Sequence, residues 1–126
     1  KEIEMWKKNG FNIEKFNNWY KKVGKGMGPT LNMANALDAY TLTDRSTWLN
    51  MNNKNNLKIV YENTEKLFNQ YSIIPINPRI NKKTNSIMVN IFLDWILSKE
   101  GKNLINNYSI KGEKSFFFNG DDYINK

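Results

Sequence analysis

The chain has 126 residues and a mass of 14.9 kDa, enough for one domain with a real core and short for two. It contains neither Cys nor His, which excludes disulfides, thiol catalysis, Cys/His zinc sites and histidine acid–base chemistry from this stretch. A net charge of +7 ordinarily points to nucleic acid or an acidic membrane, but Lys supplies all but two of the 19 cations, Asn makes up about a sixth of the chain, and both are spread rather than blocked.

The helical spacing of Ile3 and Trp6 predicts a helix over Glu2 to Lys8, closed by Asn9-Gly10. Phe16, Trp19, Tyr20 and Val23 predict a second amphipathic segment from Glu14 to Lys22, with its aromatics in a core rather than on a base-stacking surface. Gly24, Gly26 and Gly28 then form a turn in which positive φ brings successive N–H groups onto one point. Pro29 suits the first turn of a helix, and Leu31, Ala34 and Leu37 give that helix one buried face. Ala39 to Thr43 reads as a strand, and Arg45 to Asn50 as a short helix with Asp44 as N-cap and Trp48 and Leu49 turned inward.

Met51 to Asn56 is a polar loop, and Leu57 to Tyr61 alternates as a strand. Tyr71 to Ile76 is a continuous apolar run that fits a buried strand, with Pro75 placing it at a sheet edge or strand end. Pro78 to Thr84 is turn-rich and the best boundary. Asn85 to Leu97 is the clearest helix, with Ile87, Met88, Ile91, Phe92, Trp95 and Ile96 in a wide stripe. Ser98 to Gly101 breaks it, Lys102 to Tyr108 adds a further turn or two, and Phe116 to Phe118 forms a strand or packed arm. There are no internal repeats, and helices alternating with short strands point to an α/β fold.

No nucleophile and base are placed to act together, and the twelve carboxylates form no paired cleft, so an enzyme is the minority reading. Asp121 and Asp122 read as a solvated end. What remains is the stretch from Gly24 to Arg45. A glycine turn at a helix start exposes unpaired amides that suit an oxyanion, although a plain turn has the same composition. Thr41, Thr43, Asp44 and Arg45 fall where a strand ends, the usual ligand position of open α/β sheets. Arg45, one of only two arginines beside Arg79, offers a permanent planar charge, or else pairs locally with Asp44 or faces solvent. No apolar run is long enough to span a membrane, and nothing like a signal peptide starts at Lys1. The chain begins without Met and in mid-helix pattern, so it reads as a fragment or processed piece whose missing targeting signal says nothing of location.

The run GKGMGPTLNMANALDAYTLTDRSTWL from Gly24 resembles a stretch of the tungstate-binding proteins, the substrate-binding subunits of tungstate ABC transporters, that reads approximately Gly-Gln-Gly-Met-Gly-x-Thr-Leu-x-Met-Ala and then Ala-Tyr-Thr-Leu-Thr-Asp-Arg. Trp6-Lys7-Lys8 with Gly10, Trp19-Tyr20, Leu67-Phe68-Asn69 with Tyr71, Asn77-Pro78, Phe92-Leu93-Asp94-Trp95 and Ser98 to Lys102 extend the likeness over nearly the whole chain. Departures fall in turns: Lys25 stands for the usual Gln, Asn63-Thr64-Glu65 for Gly-Asp-Pro, and Gln70 and Lys99 each for Pro. The family's Thr-rich ligand loop and its Ser-Arg-Gly and Ser-Gly-Thr stretches have no counterpart here.

The resemblance implies part of a two-lobe type II periplasmic-binding-protein fold. Residues 1–78 would be the later part of the second, hinge-distal lobe, and 79–126 the C-terminal return segment of the first. It further implies an extracytoplasmic, membrane-associated component of an ABC importer that captures a tetrahedral oxyanion without catalysis, tungstate first and molybdate second. Carried over residue by residue, Gly26, Met27 and Gly28 are backbone donors, and Thr41, Thr43 and Arg45 further ligands. The implied partners are a membrane permease, the small oxyanion and the missing N-terminal half of the same protein; no cofactor, metal or nucleic acid is implied. The alternative class is a small basic nucleic-acid-binding or adaptor domain using Trp and Lys surfaces.

Overall fold

The computed structural model describes residues 1–121 and divides into two compact units, Lys1–Asn69 and Gln70–Lys126. The first unit opens with α1 (Glu2–Lys8), whose acidic first turn and basic last turn complement the helix dipole. Where a second helix is expected over Glu14 to Lys22, there is only a 3-10 turn, Ile13–Lys15. The side chain of Asn12 accepts from Glu14 N–H and starts this turn, and Phe16 is already extended at φ −73 and ψ 132. Asn17 and Asn18, poor helix formers, follow. The aromatics nonetheless pack, though not along a helical face. Trp6 sits at the centre of the cluster with edge contacts to Phe11, Phe16 and Trp19 at 5.5, 5.3 and 6.3 Å between centroids.

Next come α2 (Met27–Ala36) and α3 (Arg45–Asn50). They pack on one another, and their contact holds the buried apolar residues among those described: Leu31 and Ala34 from α2, Leu49 from α3. Helix α2 starts at Met27, ahead of Pro29 and Thr30, with Gly26 as its N-cap. Asp44 caps α3 as expected: its Oδ1 accepts from Thr47 N–H at 2.7 Å and its Oδ2 from Thr47 Oγ1 at 2.7 Å. Trp48 is half-buried beneath the ammonium of Lys54, 4.8 Å from the ring centre.

In the second unit, α4 (Ser86–Leu97) and α5 (Lys99–Asn107) meet at a tight corner. Asn85 caps α4 through Met88 N–H. The break between the helices is Ser98 alone, because its Oγ accepts from Gly101 N–H at 3.2 Å and starts α5 three residues earlier than the sequence pattern places it. A hairpin that the pattern does not announce follows, with β1 (Ser109–Ile110) antiparallel to β2 (Glu113–Lys114) in the register Ser109 to Lys114. Its two tip residues, Lys111 and Gly112, both have positive φ, as a two-residue primed turn requires. The arm from Phe116 to Phe118 is not a strand but is packed, since Phe118 N–H donates to Asn106 Oδ1 and the Phe116 ring meets Tyr71 and Tyr108.

The three longer runs expected as strands, Ala39 to Thr43, Leu57 to Tyr61 and Tyr71 to Ile76, form no ladder among the described residues. A β-run becomes a strand only when a neighbour takes its N–H and C=O groups. Among the described residues, no helix is long and apolar enough to cross a membrane.

Candidate functional site

The N-terminus of α2 is built by backbone chemistry. Gly24 turns the chain with φ +63, a conformation that costs glycine little. Gly26 and Gly28 do not share it: Gly26 is extended at φ −66 and ψ 177, and Gly28 lies inside the first helical turn. The convergence expected from three left-handed glycines is therefore replaced by an ordinary helix start. Its first helical hydrogen bond runs from Thr30 N–H to Gly26 O at 3.2 Å, and Thr30 Oγ1 donates to the same carbonyl at 2.9 Å. The amides of Met27 and Gly28 precede that bond, and no side chain caps them. A Cβ added at Gly26 or Gly28 would meet nothing within 4 Å, so neither position needs glycine for lack of room.

The second group lies on the segment that leads into α3. Thr41 Oγ1 donates to Leu42 O and Thr43 Oγ1 to Asp44 O, each at 3.3 Å. Both are longer than usual for a hydroxyl donor, so either hydroxyl turns to a better acceptor at small cost. Arg45, the first residue of α3, is ion-paired with Glu62 and not with Asp44. Asp44 is otherwise engaged: burial disfavours its charge, but hydrogen bonds from Ser46, 2.7 Å from Oδ1, and from Thr47 more than compensate and hold its pKa below the usual carboxylate value.

A groove between α2 and α3 takes in Gly28 of the first group and none of the second. Gly28 lines it together with Asn32, Asn35, Ser46, Thr47 and Asn50, and no charged side chain takes part. Thr41, Thr43 and Arg45 lie outside this lining. The asparagines were not singled out by the sequence, where Asn is too frequent to stand out. Asn35 donates through Nδ2 to Asn53 O at 3.2 Å, while its buried Oδ1 has no hydrogen-bond partner among the described residues. Asp121, expected as a solvated end, is ion-paired with Lys102, and Asp122 lies outside the described residues. No group of three or more acidic, His or Cys side chains that could hold a metal ion occurs among the described residues.

An uncapped helix N-terminus offers donors of the kind that an acceptor-only anion takes. Comparison with known proteins gives the family. The PBP superfamily domain matches residues 1–100, and the chain belongs to this superfamily of periplasmic-binding-protein folds. It is 40% identical over 108 residues to the tungstate-binding protein TupA of Peptoclostridium acidaminophilum, covering 86% of this chain and 37% of that protein. It is 36% identical over 124 residues to a putative ABC transporter anion-binding protein of Haloferax volcanii, covering 94% of this chain and 36% of that protein. With TupA of Campylobacter jejuni it shares 33% identity over 120 residues, 92% of this chain and 44% of that protein. The chain thus spans less than half the length of each of these relatives. No solved structure matches it at a significant level.

Proposed function

We propose that this chain supplies one wall of an oxyanion cleft in the extracytoplasmic substrate-binding component of an ABC importer, with tungstate the first ligand and molybdate the second. The observation that carries the reading is the free N-terminus of α2: two amides, at Met27 and Gly28, that precede the first helical hydrogen bond and that no side chain caps. A tetrahedral dianion only accepts hydrogen bonds, so neutral N–H donors at the positive end of a helix bind it without a titratable partner. Gly26 adds a further backbone amide donor, and Thr41 and Thr43 bring hydroxyls that are weakly engaged. Arg45 adds a guanidinium by exchanging Glu62 for the ligand. Capture is binding without catalysis.

The opposite wall belongs to the rest of the protein, in the two-lobe plan in which residues 1–78 and 79–126 fall in different lobes, and closure around the anion is a hinge motion. The liganded form is then delivered to a membrane permease. The relatives' names support this reading, since two are called tungstate-binding and one ABC transporter anion-binding.

Titration calorimetry of the full-length protein carrying this stretch, with tungstate, molybdate and sulfate in turn, tests the proposal. Tight binding of tungstate is expected, with the 126-residue chain alone binding weakly or not at all. A full-length protein that binds none of the three overturns it.

A further inference from the structure

Asn-Gly occurs twice in the chain, at Asn9-Gly10 and at Asn119-Gly120. A glycine leaves its own backbone nitrogen unshielded, so this is the pair in which that nitrogen most readily attacks the preceding carboxamide, and asparagine is thermally labile for that reason. The fold treats the two pairs differently. At the end of α1 both reacting groups are held by helix carbonyls: Gly10 N–H donates to Lys7 O at 3.0 Å, and Asn9 Nδ2 donates to Met5 O at 2.8 Å. In the second unit, Gly120 N–H has no hydrogen-bond partner among the described residues. The Asn119 carboxamide is held by one side chain alone: its Nδ2 donates to Gln70 Oε1 at 2.8 Å, and its Oδ1 accepts from Gln70 Nε2 at 3.3 Å. That second bond is long because Gln70 Nε2 also donates to Tyr71 O at 2.7 Å. Glycine is also what the packing asks for at 120, since a Cβ there would lie 2.6 Å from the ring of Phe118.

We propose that Asn119 is a covalent modification site, deamidating through a succinimide, that Gln70 is the residue restraining it, and that the end of α1 protects Asn9. Gly120 N gives its proton to water and bonds to Asn119 Cγ. The Cγ–Nδ2 bond breaks, and Nδ2 takes a proton from water and leaves as ammonia. A second water opens the ring at either carbonyl, leaving aspartate or isoaspartate at 119. Water is the only co-reactant, and nothing is oxidised or reduced. The product side chain has acceptors only, so Gln70 Oε1 loses its donor and the tie between Gln70 and the arm is cut to a single bond. It also places a new carboxylate two residues before Asp121, the partner of Lys102.

Ageing of the full-length protein carrying this stretch tests the proposal, in mildly alkaline buffer with and without denaturing urea. Mass spectrometry of the peptides that contain Asn9 and Asn119 follows both sites, and each native rate is divided by the rate of the same site in urea. The ratio for Asn119 should exceed that for Asn9 by about tenfold, because two helix hydrogen bonds must open before Asn9 reacts. Equal ratios, a higher ratio at Asn9, or a native Asn119 that stays intact while the urea sample reacts to completion each overturn the proposal. Gln70→Ala should speed the reaction at Asn119 several-fold and leave Asn9 unchanged. A Gln70→Ala protein in which Asn119 reacts no faster, or in which both sites speed up together, overturns the restraining role of Gln70. No anion is read in any arm, so the outcome is separate from that of the oxyanion titration.

Discussion

The guanidinium of Arg45 is held by the carboxylate of Glu62, seventeen residues further along the chain. Their side chains are 37% and 64% exposed, and a pair this open to water contributes only about 0–1 kcal/mol to stability. It is therefore cheap to exchange. A dianion arriving at the mouth of α3 competes with Glu62 for the same fork of donors. Glu62→Gln is expected to leave the melting temperature nearly unchanged and to tighten tungstate binding in the full-length protein by roughly tenfold, about 1.4 kcal/mol. Arg45→Gln should weaken it by a similar factor, and the double variant should lose the gain from Glu62→Gln. Calorimetry decides the point: binding that ignores both substitutions removes Arg45 from the site.

Asp44 explains why Arg45 reaches for Glu62. The Asp44 oxygens are filled by Ser46 Oγ, Thr47 N–H and Thr47 Oγ1, each at 2.7 Å. Asp44→Ala removes the cap of α3 and is expected to cost about 1–2 kcal/mol. Asp44→Asn keeps most of the cap and removes the charge. Because folding lowers the Asp44 pKa, the charge stabilises the fold above the unfolded-state pKa of about 3.9, and that contribution is lost as pH falls through the lower folded value. Thermal melts followed by circular dichroism should show a constant gap between wild type and Asp44→Asn from neutral pH to about 5, closing below about 4. A gap that does not narrow as pH falls below about 4 would contradict this account.

What was legible in the sequence is what local chemistry decides. Asp44 announces α3 because a cap and the N–H it accepts from lie within three residues of each other, and α4 follows from its apolar spacing alone. The Gly24 to Arg45 run carried the family. The Glu14 to Lys22 helix failed because its aromatics satisfy one another around Trp6, which their spacing mimics but does not require. Ala39 to Thr43 and Tyr71 to Ile76 have strand composition, but pairing is a long-range property that composition does not contain. Glu62 could not have been named as the partner of Arg45 for the same reason. The hairpin at Lys111-Gly112 was missed because strands of two residues show no alternation.

Gly101 is the residue that the α4–α5 corner cannot replace. A Cβ there would lie 2.5 Å from Trp95 O and 2.6 Å from Ile96 O, both backbone atoms that cannot swing aside. In an open helix, Gly→Ala gains up to about 1 kcal/mol. Here the clash reverses the sign, and Gly101→Ala is expected to cost about 1–3 kcal/mol. Hydrogen exchange should place the loss in α4 and α5 while leaving α2 and α3 protected. A variant that melts at or above the parent temperature shows that the corner relaxes freely.

Gly28 makes the opposite case, because nothing in the fold asks for a glycine there. Its φ is not positive, and an added Cβ meets no atom within 4 Å. Alanine should suit the first turn of α2 better, by up to about 1 kcal/mol, and raise the melting temperature slightly. The oxyanion reading predicts a loss in the same variant. An anion held by the Met27 and Gly28 amides rests against bare backbone, where a methyl group crowds it. Gly28→Ala is therefore expected to be at least as stable as the parent and to bind tungstate about tenfold more weakly, a loss of about 1.4 kcal/mol. Gly24→Ala serves as the contrast: with φ +63 it should destabilise the turn by about 1 kcal/mol while adding no atom in front of the α2 amides. If Gly28→Ala gains stability and keeps full affinity, the anion is not held at the start of α2.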